Sequence, residues 1–229
     1  MQQFIYRAIQ EKDYKAIENL LDTTGYFKKF TPNNKIRKIV LEVYLRSCLE
    51  DSTFTKVAEY KGKVIGIICG RNDKQYLKAT WTPYTAGILR RLFYLRLLKE
   101  GRQTLKAHRD FSQNYKKLMG DKEKQFDGEL TLLIVDEAYR GKGIGKILIK
   151  QFLEDMEKRK ARKVYLFTDT MCNYAFYDNR GFRRMGERKV VLGKNESHKD
   201  SVKEKVIVEI YLYEKRIGAF KEKRTRVYN

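Results

Sequence analysis

The segment from Glu129 to Ile149, reading ELTLLIVDEAYRGKGIGKILI, constrains the fold more than any other part of the chain. An apolar run suited to a buried strand enters a basic, glycine-rich turn, and the turn opens an amphipathic helix. In that helix Ile144, Ile147, Leu148, Phe152, Leu153 and Met156 share one face, with Lys150, Glu154, Glu157 and Lys158 on the other. The first N–H groups of a helix are unpaired and lie at the positive end of its dipole, so an anion is favoured there. Gly141, Gly143 and Gly145 let the backbone come close to such an anion, and Arg140, Lys142 and Lys146 add positive charge. The layout is that of a pyrophosphate cradle.

Three nucleotide-binding patterns compete for this turn. A nucleoside-triphosphate loop needs a glycine five residues before Gly-Lys and a Ser or Thr after it, but Arg140 and Ile147 occupy those places. A dinucleotide fingerprint needs Gly-x-Gly-x-x-Gly and an acidic residue about 20 positions on. Here the spacing is Gly-x-Gly-x-Gly, and the later window reads Ala161, Arg162, Lys163. The pattern left is Arg-x-x-Gly-x-Gly, with Arg140, Gly143 and Gly145 in register, and it resembles the acetyl-coenzyme A signature of the GNAT N-acetyltransferase superfamily. Downstream, an apolar strand at Val164–Thr168 leads to Asn173 and then Phe176, Tyr177, Gly181 and Phe182, which resembles the family's Phe-Tyr-x-x-x-Gly-Phe.

The resemblance implies a mixed α/β (α+β) sheet of the GNAT acyl-CoA N-acyltransferase type, one domain over 1–229, and acetyl-CoA as co-substrate. It implies backbone N–H groups near Leu133, Ile134 and Val135 polarising the thioester carbonyl from a bulged strand. Arg140, Gly141, Lys142, Gly143, Ile144, Gly145 and Lys146 would receive the pyrophosphate. Tyr177 would protonate the leaving thiolate, and Gly181 would end the short helix in a left-handed cap. An alkylammonium has a pKa of about 10.4, so transfer to an amine at neutral pH benefits from a base. The resemblance implies a carboxylate on or near this strand, acting directly or through water, and alternation places Glu129, Thr131 and Leu133 on one face, so Glu129 is the first choice, with Asp127 and Glu59 behind it. Family members carry an asparagine where this chain has Thr170, so Asn173 is only a weak cofactor contact and equally a helix cap. Direct transfer in a ternary complex is the family's usual route. The acceptor stays open among polyamine, antibiotic, amino acid, peptide N-terminus and lysine side chain.

Composition narrows the classes further. At 229 residues and 42% apolar content the chain can bury a substantial core, and no Pro- or Ser-rich linker divides it. The net charge of +21 attracts polyanions, so a basic nucleic-acid-binding module on the same fold is the alternative reading. Scattered lysines and the absence of a base-stacking aromatic series disfavour it. The tail from Lys215 reads as a frayed, basic end. Two distant histidines, His108 and His198, with no ligand-spaced cysteines, predict no metal site. Cys48, Cys69 and Cys172 form no Cys-x-x-Cys pair and point to a reducing, cytoplasmic setting, with Cys172 either a bystander or a nucleophile. No apolar run approaches the ~20 residues of a membrane span, so a soluble protein is expected.

Periodicity places a strand at Phe4–Ile9, a helix from Asp13, a helix over 33–50 and a hairpin turning at Lys61 and Gly62. Residues 71–126 form a helical insert. Its apolar segment Ile88–Leu98 ends near Gly101, a second helix covers 104–119, and the pair must cover the sheet, a second subunit or a substrate. Tyr94 and Leu97 are expected to shape the acceptor pocket, or else a homodimer contact. A C-terminal antiparallel pair at Arg188–Leu192 and Val206–Tyr213 flanks a mobile loop, Gly193–Glu204.

Overall fold

The computed structural model describes residues 3–76, 82, 84–192 and 206–218. Strand β1 (Ile5–Arg7) precedes α1 (Tyr14–Thr23), the short α2 (Tyr26–Phe30) and α3 (Asn34–Glu50). Asn33 starts α3 as the sequence predicts, its side chain accepting from the N–H groups of Lys35 and Ile36. Strands β2 (Phe54–Tyr60) and β3 (Lys63–Asn72) form the hairpin, followed by α4 (Thr85–Leu97), α5 (Lys99–Met119) and β4 (Gly128–Val135). The chain continues through α6 (Ile144–Lys158), β5 (Lys163–Asp169), α7 (Ala175–Asp178), β6 (Arg183–Leu192) and β7 (Val206–Arg216).

The seven strands lie in the order β1-β2-β3-β4-β5-β7-β6, all neighbours antiparallel except β4 and β5. That one parallel pair follows from the crossover through α6, which packs its buried Ile144, Leu148, Phe152 and Met156 back onto the sheet. The face under α6 and α7 holds Ala58, Ile68, Leu130, Val164 and Leu166. The opposite face holds Val57, Ile67, Cys69 and Leu132 under α1 and α3, then Tyr165, Ile210 and Leu212 under α5.

Four details differ from the sequence reading. The break between the insert's helices is at Leu98, whose extended backbone (φ −93°, ψ 137°) ends α4. Gly101 lies inside α5, where an added Cβ would fall 2.1 Å from the Leu95 carbonyl oxygen, so it permits a tight helix-to-helix corner rather than making the break. Helix α4 packs on α3 and not beside the β4–β5 gap: Ile88 and Leu95 are buried, Arg91 pairs with Glu42, and Tyr84 hydrogen-bonds Tyr14 at 2.9 Å. Its Leu89, Phe93, Tyr94 and Leu97 are exposed, so it is α5 that reaches the gap. Lys215 and Arg216 are paired in β7 rather than frayed, and Lys215 is buried. The loop Gly193–Glu204 and residues from 219 onward lie outside the described residues.

Candidate active site

Strands β4 and β5 pair only through Gly128 with Val164 and Glu129 with Tyr165. Beyond that point they are not paired, which leaves a gap toward the carboxyl ends of both strands. Strand β4 bulges against β3: Cys69 faces Leu132 and Gly70 faces Leu130, leaving Thr131 as the extra residue, its hydroxyl donating to the Cys69 carbonyl at 3.0 Å. The bulge changes which residues share a face. Leu130 belongs to the α6 side, Leu132 and Ile134 to the opposite side, and Leu133 and Val135 to the α6 side again. Glu129 therefore does not share a face with Leu133, as plain alternation predicted.

The same register fixes the amides. The Asp136 N–H donates to the Ile65 carbonyl at 2.8 Å, and hydrogen-bonded pairs alternate with open ones along an antiparallel ladder. Ile134 is thus turned to β3, while the N–H and C=O groups of Leu133 and Val135 point into the gap. Of the three residues predicted from sequence, two have their polar backbone there and Ile134 does not.

At the mouth of the gap the turn begins α6. Gly141 and Gly143 have φ of +78° and +80°, and an added Cβ at either would meet nothing within 4 Å, so the space beside this turn is open. Gly143 caps the helix with left-handed backbone, which leaves the Ile144, Gly145 and Lys146 N–H groups ahead of the first intrahelical bond, Ile147 to Gly143 at 3.1 Å. Gly145 serves a different end from the phosphate approach predicted for it: an added Cβ would lie 3.2 Å from Phe176 Cζ on α7. Lys142, over the Tyr139 ring at 5.1 Å, and Lys146 are exposed, and Arg140 holds only a loose pair with Glu137 at 3.9 Å. A cavity of about 420 Å³ adjoins the turn, between Leu20 and Thr23 of α1, Thr24 just after it, and the stretch holding Val135, Asp136, Ala138 and Arg140. This is a size suited to part of a nucleotide-like ligand. A second cavity, of about 390 Å³, lies away from the gap beneath α4, lined by Tyr14, Glu42, Arg46, Tyr84 and Arg91.

Tyr177 sits on α7 with its ring against Phe182 at 5.7 Å and Tyr213 at 6.2 Å. Burial, and then the neighbouring Cys172, push its phenol well above the usual range, so it is protonated at neutral pH. Gly181, at φ +68°, ends the turn, and the Phe182 N–H bonds the Tyr177 carbonyl at 3.1 Å. Asn173 is exposed and makes no side-chain cap, since Tyr174 occupies the cap position of α7. Cys172 is exposed as a residue, but desolvation of its sulfur and the Asp169 carboxylate push its pKa up to about 12, so it is no activated thiol.

The carboxylates separate clearly. Glu129 Oε2 accepts from the Tyr165 hydroxyl at 2.8 Å and pairs with Arg71 at 3.3 Å, and burial outweighs both to raise its pKa above the ordinary glutamate value. Burial also acts on Asp127, but the N–H groups of Arg162 and Lys163 and the Lys74 ammonium leave it lowered, tied to the strand entrance. Glu59 pairs with Arg7 at 2.7 Å on β2, two strands from β4, and does not join the site. Sequence reasoning missed Asp169. It ends β5 only 2% exposed, accepting from the Met171 N–H at 2.8 Å and the Tyr26 hydroxyl at 3.2 Å, and burial raises its pKa. The one available signal was an acid closing an apolar strand just before the aromatic motif. Among the described residues no group of His, Cys, Asp and Glu could hold a metal, and no helix is long and apolar enough to cross a membrane.

Comparison with known proteins fits this geometry. No curated protein sequence matches the chain. Among solved structures, arylalkylamine N-acetyltransferase 2 from Aedes aegypti is similar over 94% of this chain and 100% of its own, at 18% identity and a TM-score of 0.58. The structure of SsHAT is similar over 94% and 99%, at 14% identity and a TM-score of 0.58. The polyamine N-acetyltransferase of Drosophila melanogaster, which forms N-acetylagmatine, covers 93% and 100% at 10% identity and a TM-score of 0.52. These likenesses establish the fold. Residues 16–182 match the Acetyltransferase (GNAT) family, and with the parted β4–β5 pair and the glycine turn in place, the chain belongs to that family.

Proposed function

We propose that the chain transfers the acetyl group of acetyl-CoA to a primary amine by direct attack in a ternary complex. The observation that carries this reading is the gap after Glu129 and Tyr165, into which the Leu133 and Val135 amides point, with the left-handed Gly143 turn at its mouth. The residues fit acetyl-CoA: an extended pantetheine takes the place of a missing strand, and the free N–H groups of α6 with Arg140, Lys142 and Lys146 receive the pyrophosphate. The bound thioester supplies the electrophilic carbonyl, and the Leu133 N–H donates to its oxygen.

In this mechanism Glu129 takes a proton from the acceptor ammonium, directly or through water. The amine nitrogen then forms a bond to the carbonyl carbon as the C–S bond breaks. Tyr177 gives its hydroxyl proton to the departing thiolate. No covalent acetyl-enzyme is formed, in keeping with the raised pKa of the Cys172 thiol. Enzymes of similar fold named for arylalkylamine and polyamine substrates support a small amine as acceptor.

Acetyl-CoA should raise the melting temperature by several degrees at millimolar concentration, with a much smaller shift from NAD. Equal shifts, or none with acetyl-CoA, reject the assignment. The acidic limb of the kcat/KM profile should lie above the ordinary glutamate range, because the base works deprotonated and burial raises its pKa. Glu129→Gln should remove that limb, and a limb that stays in place would move the base elsewhere.

A further inference from the structure

Tyr165, Phe167 and Asp169 alternate along one face of β5, the face turned away from α6. Helices α2 and α5 wall this face with aromatic rings. Tyr115 stacks on Phe167 at 4.5 Å and on Phe111 at 5.1 Å, Phe111 meets Phe30 at 5.8 Å, and Phe30 meets Tyr26 at 5.1 Å. Tyr26, Phe30, Tyr115 and Phe167 are only half-buried, so solvent reaches this wall. The result is a half-exposed aromatic face with a carboxylate at each end. Glu129, opposite Tyr165, stands where β4 and β5 close, and Asp169 stands where they are open.

The two carboxylates differ in partners. Glu129 has Arg71 at 3.3 Å, whereas among the described residues no lysine or arginine lies within ion-pair distance of Asp169. Neutral donors serve it, the Met171 N–H, the Tyr26 O–H and the thiol and N–H of Cys172. A carboxylate this buried without a cation is costly to keep charged, and a ligand ammonium would relieve that cost. The flanking rings favour the same ligand, since a cation gains from the face of a tyrosine or phenylalanine. Asp169 stands four residue steps along β5 from Tyr165, on the order of 13 Å at the rise of a β-strand.

We infer, resting on the acetyl-transfer reading, that Asp169 receives a second cationic nitrogen of the acceptor, which is therefore a diamine or longer polyamine. The reacting nitrogen meets the thioester carbonyl in the gap, with Glu129 acting on it directly or through water, the distal ammonium sits on Asp169 and Tyr26, and the methylenes lie against Phe167 and Tyr115. The overall charge of +21 does not prevent this, because surface charges are screened over about 8 Å at physiological ionic strength while a buried carboxylate acts at contact.

The test measures thiol release with 1,5-diaminopentane, 1-aminopentane and 2-phenylethylamine as acceptors, for wild type, Asp169→Asn and Asp169→Glu. Asn keeps an oxygen for the Met171 N–H, so the turn is preserved. Wild type should favour the diamine over 1-aminopentane by about 10- to 100-fold in kcat/KM, the range of a hydrogen bond to a charged group. In Asp169→Asn that ratio should fall to near one, chiefly through KM for the diamine, and Asp169→Glu should restore part of it. Three results overturn the inference: no diamine preference in wild type, a preference for 2-phenylethylamine, or a variant that lowers both rates while leaving their ratio unmoved. Absence of transfer to all three amines overturns it too. The acetyl-CoA thermal shift of the same samples then decides whether the acetyl-transfer reading falls with it.

Discussion

Turnover of the Tyr177→Phe variant is expected to fall by roughly 10²- to 10⁴-fold, the range for loss of a positioned acid. Acetyl-CoA affinity should barely change. The phenylalanine ring keeps the contacts with Phe182 and Tyr213, and the hydroxyl makes no hydrogen bond among the described residues, so its removal leaves nothing unpaired there. The lost function is the proton for the leaving thiolate, which water supplies poorly inside a buried site. Calorimetric affinity together with single-turnover rates separates the outcomes. A parallel loss of affinity and rate would make Tyr177 a packing residue and remove it from the chemistry.

Gly143→Val should eliminate acetyl-CoA binding at millimolar concentration, as read by loss of the thermal shift. At φ +80° a β-branched residue is strained by about 1–2 kcal/mol, which lowers the melting temperature of the free protein by a few degrees. The binding loss should be much larger than this strain. The added Cβ meets no protein atom within 4 Å and projects into the open space beside the turn, where the pyrophosphate is expected. Retained binding in a folded variant would show that the anion docks elsewhere.

The strand, turn and helix from Glu129 to Lys158 were legible because their signals are local: an apolar run, glycines that accept positive φ, and a 3.6-residue stripe. The Thr131 bulge left no such mark. An extra residue changes the parity of a strand without changing its composition, so alternation put Glu129 and Leu133 together when the fold sets them apart. Helix α2, five residues between Gly25 and Thr31, is too short to show a period. The leucine-rich α4 looked destined for the cleft, but its buried positions are Ile88 and Leu95, met by α3. Asp169 was hidden for a related reason. An acid at a strand end reads as a solvated turn, and Tyr26, which hydrogen-bonds it, is 143 positions away in sequence.

Gly145 sets a length. With φ in the helical range it needs no special backbone, and its lack of a side chain lets Phe176 approach as close as a Cβ would allow only under compression. Tyr177 is the next residue on that helix, so the spacing between the anion-receiving turn and the phenol is gauged by one absent methyl group. Alanine here would act as a shim, pushing α7 outward by a few tenths of an ångström and detuning proton delivery while the turn itself still gripped its ligand.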